Sequence, residues 1–224
     1  MTKRILFLGA AHTQIPPLKY AKAQGHYIIT CDYLPENPGH NLADECYSIS
    51  TTDKEAVLQL AERLEINGIV AYASDPAAPT AAYVAECLNL PGNPYKSVNI
   101  LARKDLFRKF LFENGFNVPK SASFSIKEEA KRWVEKLGGA VFVKPVDSSG
   151  SKGVTKLECL AEFNKAYDHA LSYSREKIVV IEQEIKRSSY QVAGDGFLVD
   201  GQLVFRCWAD EHFDKLCNGL VPIG

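Results

Sequence analysis

A chain of 224 residues with 46% hydrophobic and 24% charged side chains can bury a sizeable core and exceeds the usual length of one domain. Its formal net charge of −1, with lysines and arginines spread along the chain, gives no electrostatic footprint for a nucleic acid or an anionic membrane. No apolar run approaches the roughly 20 residues of a membrane span, so a cytoplasmic protein is the expectation.

The first element is "RILFLG" at 4–9. With Lys3 before it the run imitates a signal peptide, but His12, Gln14 and two prolines follow at once, so it reads as a buried strand. Further strand signals are "YIITCD" (27–32), a weaker "CYSIS" (46–50) and "GIVAYA" (68–73). Thr52 and Glu55 have the T-x-x-E spacing of a capping box. Ala56, Val57, Leu60, Ala61 and Leu64 then recur at helical spacing, and residues 77–88 can form another helix. Strands alternating with helices predict a parallel sheet covered on both faces, a Rossmann-like unit.

"LPGNP" at 90–94 is the clearest break. Beyond it "KSVNILARKDLFRKFLFENG" reads as one helical stretch with Leu106, Phe107, Phe110 and Leu111 on one side, stopping at Asn114-Gly115. Ser125 and Glu128 make a second capping-box pattern, and Ala130, Trp133, Val134 and Leu137 give the apolar face of the helix that Gly138-Gly139 ends. A strand "AVFVKP", a loop of small residues, a short strand near 154–157, a helix near 159–171 and the strand "KIVVIEQEI" follow. From Tyr190 the pattern turns antiparallel, with Asp200-Gly201 as a hairpin turn.

Two phosphate-binding fingerprints fail on their residues. "GAAHTQ" after the first strand keeps only Gly9 of the three glycines of a dinucleotide turn, with Ala11 and Gln14 at the other positions, although Asp32 ends the second strand. "VDSSGSKGV" has Lys152 between Ser151 and Gly153, not the lysine-hydroxyl ending of a Walker A loop. Backbone N–H groups and hydroxyls at Ser148, Ser149, Gly150, Ser151 and Gly153 nonetheless suit an anion cradle, and Lys144 just before the loop can place an ammonium on a phosphate. A surface hairpin fits the same letters. Of the six cysteines (Cys31, Cys46, Cys87, Cys159, Cys207, Cys217), none forms a C-x-x-C pair or a metal-like spacing with the five histidines. Buried free thiols are the expectation.

Taken in order, "ARKDLFRKFLFENGFNVPKSASF", "VFVKPVDSSGSKGV" and "VVIEQEI", after a first unit containing "GAAHTQIPPLKYAKAQGHYIITCDYLPENPG", resemble the ATP-grasp superfamily, which includes biotin carboxylase, carbamoyl-phosphate synthase and D-alanine–D-alanine ligase. The resemblance covers nearly the whole chain. It implies an α/β fold: a Rossmann-like domain at 1–94, a first ATP-grasp lobe at 95–186, and the start of a second lobe at 187–224, incomplete in this chain.

By the same resemblance Lys104 and Lys144 hold the phosphates of ATP, and the loop with Ser148, Ser149, Gly150, Ser151 and Gly153 closes over them. Glu182 receives the adenine amino group, while the backbone from Gln183 to Ile185 lies along the base. Where the family has a glycine and then a ribose-binding glutamate, this chain has Arg187 and Ser189. The family's magnesium-binding acids are expected downstream of Gly224, and Asp210, Glu211, His212 and Asp214 read as a polar loop rather than a substitute. The activity implied is an ATP-dependent carboxylate ligase acting through an acyl phosphate, with ATP, Mg2+ and a carboxylate substrate as its partners. The chain itself is expected to be an N-terminal portion, inactive alone. The alternative is a non-catalytic nucleotide-binding module or a subunit completed by another polypeptide. Homo-oligomer formation is left open.

Overall fold

A computed structural model describes residues 1–186 and 188–214. They fall into two compact units, Met1–Val118 and a second beginning at Pro119.

The first unit is built on β1 (Arg4–Leu8), β2 (Tyr27–Cys31), β3 (Glu45–Tyr47) and β4 (Gly68–Val70), all parallel in the order β3-β2-β1-β4. The strand period of two sends alternate residues to opposite cores. Leu6, Leu8, Ile29 and Cys31 pack with Val57, Leu60 and Ala61 of α2 (Lys54–Arg63) and Val84 of α3 (Ala78–Cys87), whereas Phe7 and Ile28 pack with Leu18 and Ala21 of α1 (Ile15–Ala23). Each fully buried aliphatic side chain contributes roughly 1.5–3 kcal/mol. This is the parallel sheet covered on both faces that the near-continuous apolar runs predict. Its strands are tied by Glu45, which accepts hydrogen bonds from Tyr27 Oη at 2.8 Å and Tyr47 Oη at 2.5 Å and pairs with Arg4 at 3.3 Å.

Two local expectations for this unit are corrected. The cap of α2 is Asp53, whose carboxylate accepts from the Ala56 amide at 3.1 Å, because the hydroxyl of Thr52 is held by Ser50 at 3.1 Å. The stretch after 94 is two helices, α4 (Tyr95–Ala102) and α5 (Lys104–Glu113). Arg103 between them is extended, at φ −108° and ψ 121°, and its guanidinium bonds Asp105 at 2.8 and 3.1 Å. No glycine or proline marks that break. Helix α4 is fastened to α2 and α3 by Lys54, which donates to Tyr95 Oη at 3.1 Å and lies over the Tyr83 ring.

The second unit holds β5 (Ser121–Phe124), α6 (Lys127–Leu137), β6 (Val141–Pro145), β7 (Thr155–Leu157), α7 (Phe163–Tyr173) and β8 (Val179–Gln183). Its sheet runs β5-β8-β6-β7 with every neighbour antiparallel. Val141, Val143, Val179 and Ile181 turn toward Ala130 and Val134 of α6 and Phe163, Ala166, Tyr167 and Ala170 of α7. The alternate residues Phe142, Lys144, Val180 and Glu182 therefore share the opposite face. Ser125 does not cap α6: Ile126 stands at that position without a side-chain hydrogen bond, and Glu128 and Glu129 in the first turn offset the helix dipole instead.

Strands β9 (Gln191–Val199) and β10 (Gln202–Glu211) form a hairpin. Asp200 and Gly201 both have positive φ, +49° and +76°, the backbone that a tight Asp-Gly hairpin turn demands. Among the described residues no helix is long and apolar enough to cross a membrane.

The cysteine expectation holds only in part. Cys31 is buried, but Cys46, Cys87, Cys159 and Cys207 are free and exposed, and Cys217 lies outside the described residues. Cys46 sits on the short edge strand β3, where alternation turns it outward. Burial, with the Asp32 carboxylate beside it, pushes the Cys31 thiol up to about 12, so it carries almost no thiolate at neutral pH. Alkylation of the native protein with iodoacetamide, read by mass spectrometry, is expected to modify the four exposed cysteines and spare Cys31 until denaturant is added. Equal labelling of Cys31 would contradict the packing of β2.

Candidate functional site

The face of the second sheet turned away from α6 and α7 carries charge at its centre. Strand register sets Lys144 opposite Val180 and Phe142 opposite Glu182, so Lys144 and Glu182 are diagonal neighbours on one face, within reach of long side chains. Lys144 Nζ donates to Glu182 Oε2 at 2.6 Å, with 20% of the lysine side chain and 4% of the glutamate side chain exposed. The ammonium also lies 5.4 Å from the centroid of the Phe142 ring. On the neighbouring strand Lys156 pairs with Glu158 at 2.6 Å and Glu184 at 3.0 Å. Hydrogen bonds that it donates, first to Glu158 and then to Glu184, raise its pKa above the ordinary lysine value. Two lysines and their acids thus line β7, β6 and β8.

The small-residue loop leaves β6 directly beside this pair. Its first residue, Asp147, is buried, and its carboxylate accepts from the amides of Arg175 at 3.0 Å and Glu176 at 3.1 Å. The Arg175 guanidinium donates to the Asp147 carbonyl. Gly150 and Ser151 are both left-handed, at φ +63° and +57°, which bends the chain back so that Ser148 Oγ donates to the Lys152 carbonyl at 2.8 Å. Gly153, at φ +75°, closes the loop where a Cβ would stand 2.9 Å from Tyr173 Cβ and 3.0 Å from Pro145 Cγ. Glycine is required there on both counts.

After Glu182 the chain runs on as Gln183, Glu184 and Ile185. The Gln183 amide donates to the Lys120 carbonyl at 2.8 Å and the Glu184 amide to the Ala140 carbonyl at 3.0 Å. Ile185 is exposed. Lys104 belongs to the first unit, as the first residue of α5 directly after the break at Arg103. The structure therefore brings Lys144, Glu182 and the loop carrying Ser148, Ser149, Gly150, Ser151 and Gly153 together in the second unit.

Asp147 and Arg175, which fix the loop, were not singled out from the sequence. The only signal was an acid just ahead of a serine-glycine loop, and nothing in the letters shows that it is buried. At the chain's far end Asp210 and Glu211 lie in β10 rather than in a loop, paired with Val192 and Gln191. Alternation along the hairpin, not turn chemistry, sets their places. Among the described residues no group of three histidines, cysteines or acids is arranged to hold a metal ion. Ser189 is exposed, and Arg187 lies outside the described residues.

The turn after β1 is filled by the protein's own groups. Asp32 accepts from the Ala10 and Leu34 amides, both at 3.0 Å, and from Asn37 Nδ2 at 2.8 Å. Gln14, at the third glycine position of a dinucleotide turn, accepts from the Ala11 amide at 3.0 Å and donates to the Tyr72 carbonyl at 2.7 Å. These bonds lock the turn from within.

The chain is similar to several known proteins. The family described as D-ala D-ala ligase C-terminus matches residues 114–198. A formate-dependent phosphoribosylglycinamide formyltransferase from Bacteroides fragilis is 27% identical over 199 residues, 84% of this chain and 49% of the relative. The chain thus spans about half the length of the curated relatives it matches. Among solved structures, N5-carboxyaminoimidazole synthetase from Staphylococcus aureus, complexed with ADP, superposes with a TM-score of 0.75 at 16% identity over 98% of this chain and 56% of that one. The biotin carboxylase domain of 2-oxoglutarate carboxylase from Hydrogenobacter thermophilus, in complex with MgADP, ADP and bicarbonate, gives a TM-score of 0.63 at 19% identity over 83% and 45%. Together these likenesses support an ATP-grasp fold for this chain.

A buried carboxylate deprived of its partner carries a desolvation cost that the pair offsets. Lys144→Ala is therefore expected to lower stability by on the order of 2–3 kcal/mol, read from urea unfolding at pH 7. The double variant Lys144→Met, Glu182→Leu is expected to recover most of that loss. A single variant as stable as the wild type would show that the pair is not buried as described.

Proposed function

We propose that this chain supplies the nucleotide-binding part of an ATP-dependent carboxylate ligase of the ATP-grasp type. The observation that carries the reading is the Lys144–Glu182 pair at the root of a serine-glycine loop, on a sheet face that α6 and α7 leave uncovered. The relatives support it: they include a formate-dependent formyltransferase and structures complexed with ADP and MgADP. In this reading residues 1–94 form the Rossmann-like domain, 95–186 the first lobe of the clamp and 187–224 the start of the second.

Lys144 holds phosphate oxygens by charge-assisted hydrogen bonds, and Lys104, in the first unit, keeps the phosphate role that the resemblance implies. Lys144 is preorganised for this because Glu182 already fixes its ammonium, so little side-chain entropy is lost when a phosphate arrives. Ser148, Ser149 and Ser151, with the backbone of Gly150 and Gly153, cover the phosphates and exclude water from a reactive intermediate. Glu182, at the start of the hinge, takes the adenine amino group. Because the amides of Gln183 and Glu184 are engaged with Lys120 and Ala140, the amide of Ile185 is the hinge donor for the ring.

In the complete reaction the terminal phosphoryl group passes to an oxygen of the carboxylate substrate. The resulting acyl phosphate is then displaced by a nucleophile, commonly an amine, releasing phosphate. The chain's residues contribute positioning and electrostatics rather than proton transfer. Mg2+ would neutralise the phosphate charge in such a reaction, but the described residues offer no carboxylate cluster that fits it, and no step is assigned to it.

Calorimetric titration with ATP tests the reading. Lys144→Ala is expected to weaken binding by on the order of tenfold or more. Equal affinities for the two proteins would overturn the phosphate assignment. Carboxylate-dependent ATP hydrolysis by this chain alone is expected to be negligible, and rapid turnover would show that the catalytic acids lie within it.

A further inference from the structure

The phosphate loop is held at both ends by one short segment, residues 173–176, which joins α7 to β8. At the entry, the buried Asp147 carboxylate takes the Arg175 and Glu176 amides, at 3.0 and 3.1 Å, and its carbonyl takes the Arg175 guanidinium. At the exit, Gly153 packs so closely on Tyr173 and Pro145 that even a methyl group would not fit. Between them the loop is closed on itself by the Ser148–Lys152 bond at 2.8 Å. The Val146 amide, just ahead, still belongs to the sheet, donating to Ile178 at 3.1 Å. The backbone therefore passes from strand to loop at Asp147.

A carboxylate buried at such a point is costly unless its oxygens are occupied. Here they are occupied by amides of a distant segment, so the bonds tie the loop to the α7–β8 connection rather than merely shaping the turn. Neither Asp147 nor Arg175 belongs to the residues assigned to phosphate or base above.

We infer that Asp147 is a positioning residue for the phosphate grip: it fixes the hinge from which the 148–152 loop reaches the nucleotide, with Gly153 as the second fixed point. The inference rests on the nucleotide reading of the site. Its consequence is selective. Loss of the anchor weakens contacts to phosphates, which the loop makes, and leaves contacts to the base, which the β8 hinge makes.

The test compares wild type, Asp147→Ala, Asp147→Asn, Gly153→Ala and Lys144→Ala in two measurements. The first is amide hydrogen exchange without ligand. In Asp147→Ala, exchange across 148–154 and at Arg175 and Glu176 is expected to rise, while the strands β6 and β8 keep their protection. The second is calorimetric affinity for ATP and for adenosine. The ratio of ATP to adenosine affinity is expected to fall on the order of tenfold in Asp147→Ala and Gly153→Ala with adenosine affinity unchanged. Asp147→Asn keeps an acceptor oxygen for the amides and is expected to restore part of the ratio. Unaltered exchange in Asp147→Ala would overturn the anchor. Faster exchange with an unaltered ratio, or equal losses for ATP and adenosine, would overturn its role in phosphate binding. A wild type that binds ATP no better than adenosine, with Lys144→Ala no different, would instead overturn the nucleotide reading itself.

Discussion

The second unit is organised around a carboxylate that cannot be buried alone. Glu182 retains 4% of its side-chain exposure and needs a cation within hydrogen-bonding distance, because the desolvation of an unpaired ion costs several kcal/mol. Lys144 supplies that cation only if β6 and β8 keep the register that sets Phe142 opposite Glu182. A slip of one residue would send Lys144 into the core against α7 and a valine into its place. The pair therefore fixes the register, and the register fixes where the loop emerges.

Everything proposed for the site follows from that geometry. The face away from α6 and α7 carries Lys144, Phe142, Glu182 and Lys156, so its chemistry is concentrated on the side opposite the apolar core. The loop starts two residues past Pro145, at a buried aspartate whose partners lie on the α7–β8 connection. In the first unit the equivalent place, the turn after β1, is closed by Gln14 and Asp32. One turn is filled with protein hydrogen bonds, while the other presents a lysine and a serine-glycine loop.

How far this could be read from the letters depended on the kind of signal. Apolar runs such as "ILFL" and "YIITC" gave β1 and β2 because both faces of a parallel strand are buried. Asp200-Gly201 gave the hairpin because its turn needs two residues that accept positive φ. Lys144, Glu182 and the loop were legible as segments in a given order. The break at Arg103 was not, since it is made by an Arg103–Asp105 ion pair and an extended backbone rather than by glycine or proline. Asp53 rather than Thr52 caps α2, the Thr52 hydroxyl being engaged by that of Ser50. Asp147 escaped notice for a related reason: its burial and its partners at Arg175 and Glu176 depend on a contact 28 residues away.

The central claim is that nucleotide binds on the Lys144–Glu182 face under the serine-glycine loop. Backbone amide NMR spectra recorded during titration with ATP test it most directly. The account predicts that shift changes concentrate in Lys144–Val154 and Glu182–Ile185, with Gly9–Gln14 and Asp32 unmoved. Changes centred on the turn after β1, with the loop and hinge silent, would contradict it.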